Sequence, residues 1–152
     1  MNEVIEKAIR KQLKKSEGEL TKADLEKVTF LSLSDNHLTD VPKELEKLTK
    51  LETLFLTGNK LTEVKGLEKC TQLVRLNLYN SQLTVLPKGL EKLTQLKTLW
   101  LYANNLTDVK VLEKLTKLES LYLDDNPALT KAQIAQLQKA LPKCEIRSNP
   151  KK

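Results

Sequence analysis

The chain has 152 residues, the length of one domain, and its 26 Lys and Arg against 20 Asp and Glu leave a formal net charge of +6. Hydrophobic residues make up 39% and charged residues 30%, with only 4 Gly and 5 Pro, which excludes collagen-like and Gly/Pro-rich disordered chains. No apolar run approaches the ~20 residues of a membrane helix, and the single histidine leaves one candidate residue for histidine-based hydrolytic chemistry.

The N-terminal segment, residues 1–27, is predicted to be a helical cap. An amphipathic pattern over residues 2 to about 15 predicts a helix whose apolar stripe contains Val4, Ile5, Ala8, Ile9 and Leu13. A second short helix is expected after Thr21, because Thr21 and Asp24 have the spacing of a capping box. Charges throughout the first 25 residues leave no apolar core for a secretory signal. A removed signal would leave no trace, so the sequence assigns no compartment.

A repeating pattern occupies residues 28–129. Blocks that start at 28, 51, 73, 96 and 118 fit L-x-x-L-x-L-x-x-N-x-L, with Val28 at the first Leu position, Ser81 at the Asn position of the third block and Ala128 as an extra residue in the fifth. The middle residues alternate as in a strand, so the second and third leucines of each block are expected to point into a shared interior. One block cannot bury that face alone, so the blocks must stack.

The second half of each block is expected to form the outer wall of this stack. Its apolar residues come in closely spaced pairs, which favours short helical or 3₁₀ turns over long helices. These pairs are Leu45 and Leu48, Leu67 and Cys70, Leu90 and Leu93, and Leu112 and Leu115.

The asparagine of the pattern predicts an internal ladder in which side-chain amides satisfy backbone groups where the chain leaves each strand. The ladder positions are Asn36, Asn59, Asn104 and Asn126. Ser81 replaces the asparagine in the third block, and its shorter side chain is expected to weaken the stack locally.

Residues 130–152 are predicted to close the other end of the stack. Thr130 and Gln133 form a second capping-box pattern, and the helix that follows is expected to run to about Leu141, before Pro142. The segment 144–146 is predicted to add a short final strand over the last repeat. The tail 148–152 is expected to be frayed.

The pattern, recurring five times in register, resembles the leucine-rich-repeat family. The resemblance implies an α/β solenoid: a right-handed superhelix with a parallel concave sheet, an N-terminal helical cap and a C-terminal helix–strand cap. The repeats are similar to those of short bacterial proteins of the family and to engineered consensus repeats. Known members mostly bind proteins or peptides across the concave face, and the chain carries no appended catalytic domain, so the resemblance implies a protein or peptide partner and no enzyme.

The concave face is expected to display the third, fifth and seventh positions of each block. The six aromatic residues of the chain, two Phe, three Tyr and one Trp, all fall in these positions. Two explanations compete: aromatic residues anchor binding interfaces, and they also stack across neighbouring strands without any ligand. The sequence therefore predicts a binding module, with a structural or engineered scaffold as the alternative. The predicted ligand-binding residues are Phe30, Phe55, Arg75, Tyr79, Trp100, Tyr102, Tyr122 and Asp124.

Other functions find little support. The chain has only three Arg but 23 Lys, whereas nucleic-acid surfaces favour arginine for its bidentate contacts. The lysines are also interleaved with glutamates, which argues against a nucleic-acid surface. His37 has no partner for a metal site or a catalytic triad, and no glycine-rich phosphate loop is present, so we predict no cofactor. Cys70 and Cys144 lie too many repeats apart for a disulfide. We expect a monomer, with self-association through the concave face as the alternative.

Overall fold

Six short strands form one parallel sheet in the computed structural model, which describes residues 1–152. The strands pair in chain order, and each pairs residues at the same repeat position, as in Leu31 opposite Leu54 and Leu54 opposite Leu76. This arrangement confirms the predicted leucine-rich-repeat solenoid. The strands are β1 (Phe30–Ser32), β2 (Thr53–Phe55), β3 (Arg75–Asn77), β4 (Thr98–Trp100), β5 (Ser120–Tyr122) and β6 (Glu145–Arg147).

The interior of the solenoid is a single cluster of 35 buried hydrophobic residues, most of them leucines. The second and third leucines of each block, such as Leu54 and Leu56, point inward as the alternation predicts. Full burial of one such side chain contributes about 1.5–3 kcal/mol. The regular spacing of these leucines therefore supplies the main driving force for stacking.

The outer wall consists of short 3₁₀ helices, as the paired apolar residues predict. Pro42 and Pro87 precede two of them, where a proline's fixed φ suits the start of a helical turn. The inward residues of these turns, such as Leu45 and Leu90, are buried. The four 3₁₀ helices span Lys43–Lys47, Leu67–Lys69, Lys88–Lys92 and Lys110–Lys114.

Three of the four ladder asparagines are buried and bonded to backbone. Asn104 Oδ1 accepts from the amides of Ser81 and Leu83 at 3.0 and 2.9 Å, while its Nδ2 donates to carbonyls of its own and the preceding repeat. Asn59 does the same two repeats earlier. Asn36 differs from the prediction, because no repeat precedes it: its side chain is exposed and donates only to the Ser34 carbonyl.

Ser81 interrupts the ladder in the third repeat. Its hydroxyl donates to the Leu56 carbonyl at 3.1 Å but does not reach the amides of the preceding turn. The Leu61 N–H, which corresponds to the Leu83 N–H bonded by Asn104, is buried and has no hydrogen-bond acceptor. A buried, unpaired amide is costly, so the structure gives a physical reason for the predicted local weakening.

The N-terminal end of the sheet is covered by helix α1 (Glu3–Leu13), which packs beside β1. Ile5 and Ile9 of α1 are fully buried, so the apolar stripe faces the core. Helix α2 (Lys22–Leu25) follows, and both halves of the Thr21–Asp24 capping box are formed.

The C-terminal end carries helix α3 (Lys131–Ala140), which begins with the Thr130–Gln133 capping box, and strand β6, which starts one residue later than expected. The prediction that the tail frays is wrong. Asn149 bonds the backbone amide and the carboxylate of Asp125 at 2.7 and 2.8 Å, and the Lys152 carbonyl accepts from the Lys131 amide. These bonds join the tail to the last repeat and to the start of α3.

Candidate functional site

The concave surface of the sheet displays all six aromatic side chains of the chain. Each of these side chains is half-buried, partly covered by its neighbours and partly open to solvent. The strands place them because the third, fifth and seventh repeat positions point away from the leucine interior. We call this surface the aromatic face; its rings belong to Phe30, Phe55, Tyr79, Trp100, Tyr102 and Tyr122.

The six rings form one continuous series of contacts across the sheet. Phe55 meets Phe30 edge-on at 5.3 Å between centroids and reaches Trp100 at 6.4 Å across the smaller Asn77 of β3. Trp100 lies parallel to Tyr122, with centroids 6.0 Å apart and 10° between ring planes. Without this contact across Asn77, Phe30 and Phe55 would be separated from the other four rings; it extends the series to the first repeat.

The seventh repeat position supplies the other end of the series. Tyr79 and Tyr102 are stacked at 4.2 Å, and Tyr102 reaches Tyr122 at 6.3 Å. Aromatic pairs of this kind each contribute about 0.5–1.5 kcal/mol beyond burial. The rings are therefore held in place by one another before any ligand arrives.

Charged groups lie at two places on this face. Arg75 is exposed on β3 and makes no ion pair. The other predicted charged residue, Asp124, follows β5, two strands away. Asp124 lies at the C-terminal end of the sheet, in a cleft of about 340 Å³. We call this the C-terminal cleft; its lining residues are Trp100, Tyr102, Tyr122, Asp124, Asp125 and Arg147.

Arg147 is a residue of this site that the sequence analysis missed. Strand β6 pairs Arg147 with Tyr122, which places its guanidinium carbon 5.8 Å from the Tyr122 ring centroid. Residue 147 lies outside the five blocks, so the repeat pattern does not assign it to the concave face. The signal was the predicted last strand: extending it by one residue puts Arg147 at the fifth repeat position.

The remaining reactive groups do not converge. No group of three or more His, Cys, Asp or Glu side chains is arranged to hold a metal ion. Cys70 and Cys144 are both buried and unpaired, and burial raises the pKa of the Cys70 thiol to about 11, which disfavours the nucleophilic thiolate. His37 is exposed in the loop that follows β1. No helix is long and apolar enough to span a membrane.

Comparison with known proteins gives consistent matches. The family described as a leucine-rich repeat region matches residues 12–146. The chain is similar to the solved structure of an internalin (InlF) from Listeria monocytogenes, with a TM-score of 0.83 and 26% identity over 99% of this chain and 45% of that one. It is also similar to a leucine-rich-repeat protein of Leptospira interrogans, with a TM-score of 0.74 and 36% identity over 84% of this chain and 33% of that one.

A third similarity concerns the fold alone. Internalin C2 from Listeria monocytogenes has a TM-score of 0.71 and 22% identity, over 99% of this chain and 75% of that one. The chain spans less than half the length of the first two structures. No curated protein sequence matches the chain.

Proposed function

Because the chain belongs to the leucine-rich-repeat family, we propose that it is a protein- or peptide-binding module whose aromatic face is the binding surface. The observation that carries this proposal is the collection of all six aromatic residues on one open surface. Soluble proteins rarely expose a large contiguous apolar patch without a partner for it. The internalin and Leptospira structures support a bacterial origin for the chain.

The mechanism follows from the rigidity of the sheet. The rings are held by the strands and by each other, so binding a partner freezes few additional rotors. Trp and Tyr are the residues most often found to dominate binding energy, and a hot-spot residue of this kind contributes about 2 kcal/mol or more. Trp100 and Tyr122 are the central anchors, with Arg75 and Asp124 setting the polarity of the partner.

The alternative, a structural or engineered scaffold without an evolved ligand, is favoured by the same ring contacts. Tyr79 against Tyr102 and Phe55 against Phe30 are the cross-strand pairs expected if the rings only brace neighbouring repeats. The two functions differ in what the exposed part of each ring contacts. In a binding module it contacts a partner, and in a scaffold it contacts only water.

A selection experiment separates the two. A random peptide library is panned on the immobilised protein, and each selected peptide is titrated against wild type and the double variant Trp100→Ser/Tyr122→Ser. The matched control is Val85→Ser, since Val85 is 52% exposed and lies outside the aromatic face. The proposal expects peptides that bind wild type and Val85→Ser but do not bind the double variant, measured at a temperature at which circular dichroism shows all three proteins folded.

The scaffold alternative predicts a different pattern. No selected peptide would then distinguish the double variant from wild type, and the loss of stacking would show only as a lower melting temperature, which both alternatives predict.

We propose that the protein is a monomer. Sedimentation at several concentrations tests this: a mass that rises with concentration in wild type, but not in the double variant, would identify the second copy as the partner of the aromatic face.

A further inference from the structure

The C-terminal cleft is the acidic end of the aromatic face, whose other charged group is Arg75 on β3. It is lined by the rings of Trp100, Tyr102 and Tyr122 together with the carboxylates of Asp124 and Asp125. The faces of aromatic rings carry negative electrostatic potential, so rings and carboxylates here both favour a positive charge. No lysine lies at a third, fifth or seventh repeat position, although the whole chain has a net charge of +6.

The Asp124 carboxylate is without a partner in the folded chain. It accepts no hydrogen bond and forms no ion pair, whereas the neighbouring Asp125 carboxylate is held by Asn149 at 2.8 Å. Asp124 is half-buried beside the rings. A carboxylate in that position interacts more strongly with a cation than a fully hydrated one, because less water screens the pair.

The chain itself places a cation against this cleft. The Arg147 guanidinium sits over the face of Tyr122 at 5.8 Å, within the range of a cation–π contact. This group is loosely held: its side chain is 65% exposed and its only ion pair, with Glu145, is 3.9 Å long. An incoming cation can therefore displace Arg147 at little cost.

From this geometry we propose that the C-terminal cleft binds an arginine or lysine side chain of a peptide partner, with the cation against Trp100 and Tyr122 and paired with Asp124. The inference rests on the proposed function, since it names the chemistry of the segment that the aromatic face recognises. The cleft and its adjoining strand carry Asp124, Asp125 and Glu145 against Arg147, so the local charge is acidic while the molecule as a whole is basic. Charge complementarity thus favours a basic segment over an acidic one at this end of the sheet.

Three peptides of the form acetyl-Gly-Xaa-Leu-Xaa-Gly-amide, with Xaa as Arg, Gln or Glu, test the proposal at low salt. Trp100 is the single tryptophan of the chain, so its indole N–H resonance reports binding at the cleft. The Arg peptide is expected to bind at least fivefold more tightly than the Gln peptide. The overall positive charge of the protein would by itself favour the Glu peptide, so a preference for Arg has a local cause.

Two variants assign the effect to the cleft. Asp124→Asn is expected to weaken the Arg peptide about fivefold, the loss of one half-exposed ion pair, while Asp40→Asn, an exposed carboxylate outside the aromatic face, leaves it unchanged. Arg147→Gln is expected to strengthen binding because it removes the competing cation. Equal or tighter binding of the Gln or Glu peptide, or an unchanged affinity in Asp124→Asn, would overturn the inference.

Failure here differs from failure of the proposed function. If the library yields peptides that need Trp100 and Tyr122 but carry no basic residue, the face binds partners and the cationic assignment is wrong. If no library peptide depends on those rings, the binding function itself is wrong.

Discussion

Replacing Ser81 with asparagine is expected to stabilise the protein, because it completes the ladder that runs through the other repeats. The Ser81 hydroxyl satisfies the Leu56 carbonyl but leaves the amides of Asn59 and Leu61 unpaired. At the matching position Asn104 accepts from two such amides, at 3.0 and 2.9 Å. An asparagine at 81 reaches the same two amides through the same backbone geometry.

The size of the effect follows from the bonds gained. Each net hydrogen bond contributes about 0.5–1.5 kcal/mol, so two new bonds would contribute about 1–3 kcal/mol. Fitting the larger amide into the position of the fully buried Ser81 offsets part of that gain. We expect a net stabilisation of about 1–2 kcal/mol, which raises the melting temperature of a chain of this size by roughly 2–8 °C.

The assay is urea unfolding followed by circular dichroism, with the reverse substitution Asn104→Ser as the matched control. Asn104→Ser reproduces the Ser81 defect in the next repeat and is expected to cost about 1–3 kcal/mol, since the buried amides of Ser81 and Leu83 lose their acceptor. A loss of stability in Ser81→Asn, together with no change in Asn104→Ser, would refute the ladder as a source of stability.

Three further outcomes are expected. Lys15 and the Thr21 amide hold the pKa of Asp24 well below its ordinary value, so the Asp24 carboxylate stabilises the fold above about pH 4 and this contribution declines progressively as the pH falls below 4. The urea midpoints of wild type and Asp24→Asn should differ most at pH 7 and clearly less at pH 2, and an equal difference at both would contradict the assignment. Ile9→Ala empties a fully buried site and should lower the free energy of unfolding by about 2–5 kcal/mol, so a change under about 0.5 kcal/mol would show that α1 is not part of the core. Burial and a raised pKa should keep Cys70 unreactive toward a thiol reagent at pH 8 until urea unfolds the chain, and rapid labelling of the native Cys70 in the Cys144→Ala variant would contradict its position.

Most of the fold could be predicted because one repeating sequence pattern specifies the strands, the core and the outer turns. The strand residues, the inward leucines and the short outer turns all follow from a spacing repeated five times. Leu54 and Leu99 occupy the same repeat position and are buried in the same way. The two capping boxes were also predicted, since their bonds join residues only three positions apart. Features that depend on short spacings or on the repeat can therefore be predicted from the sequence.

The errors lie at the ends of the stack, where the period stops. Asn36 fits the pattern but has no preceding repeat to bury it, and Asn149 leaves the tail ordered through a bond to Asp125 that no repeat predicts. Arg147 joins the candidate site only because β6 extends the sheet beyond the last block. Contacts between a unique segment and its neighbour depend on tertiary packing, which a periodic pattern does not contain.

The most direct test of whether the aromatic face binds a partner is calorimetric titration of one library-selected peptide into wild type and into Trp100→Ala. A hot spot of about 2 kcal/mol predicts at least a roughly 30-fold loss of affinity in Trp100→Ala. The folded fraction, checked by circular dichroism, should stay the same in both proteins. Equal affinity for the two would contradict the claim that these rings are the surface with which the protein meets its partners.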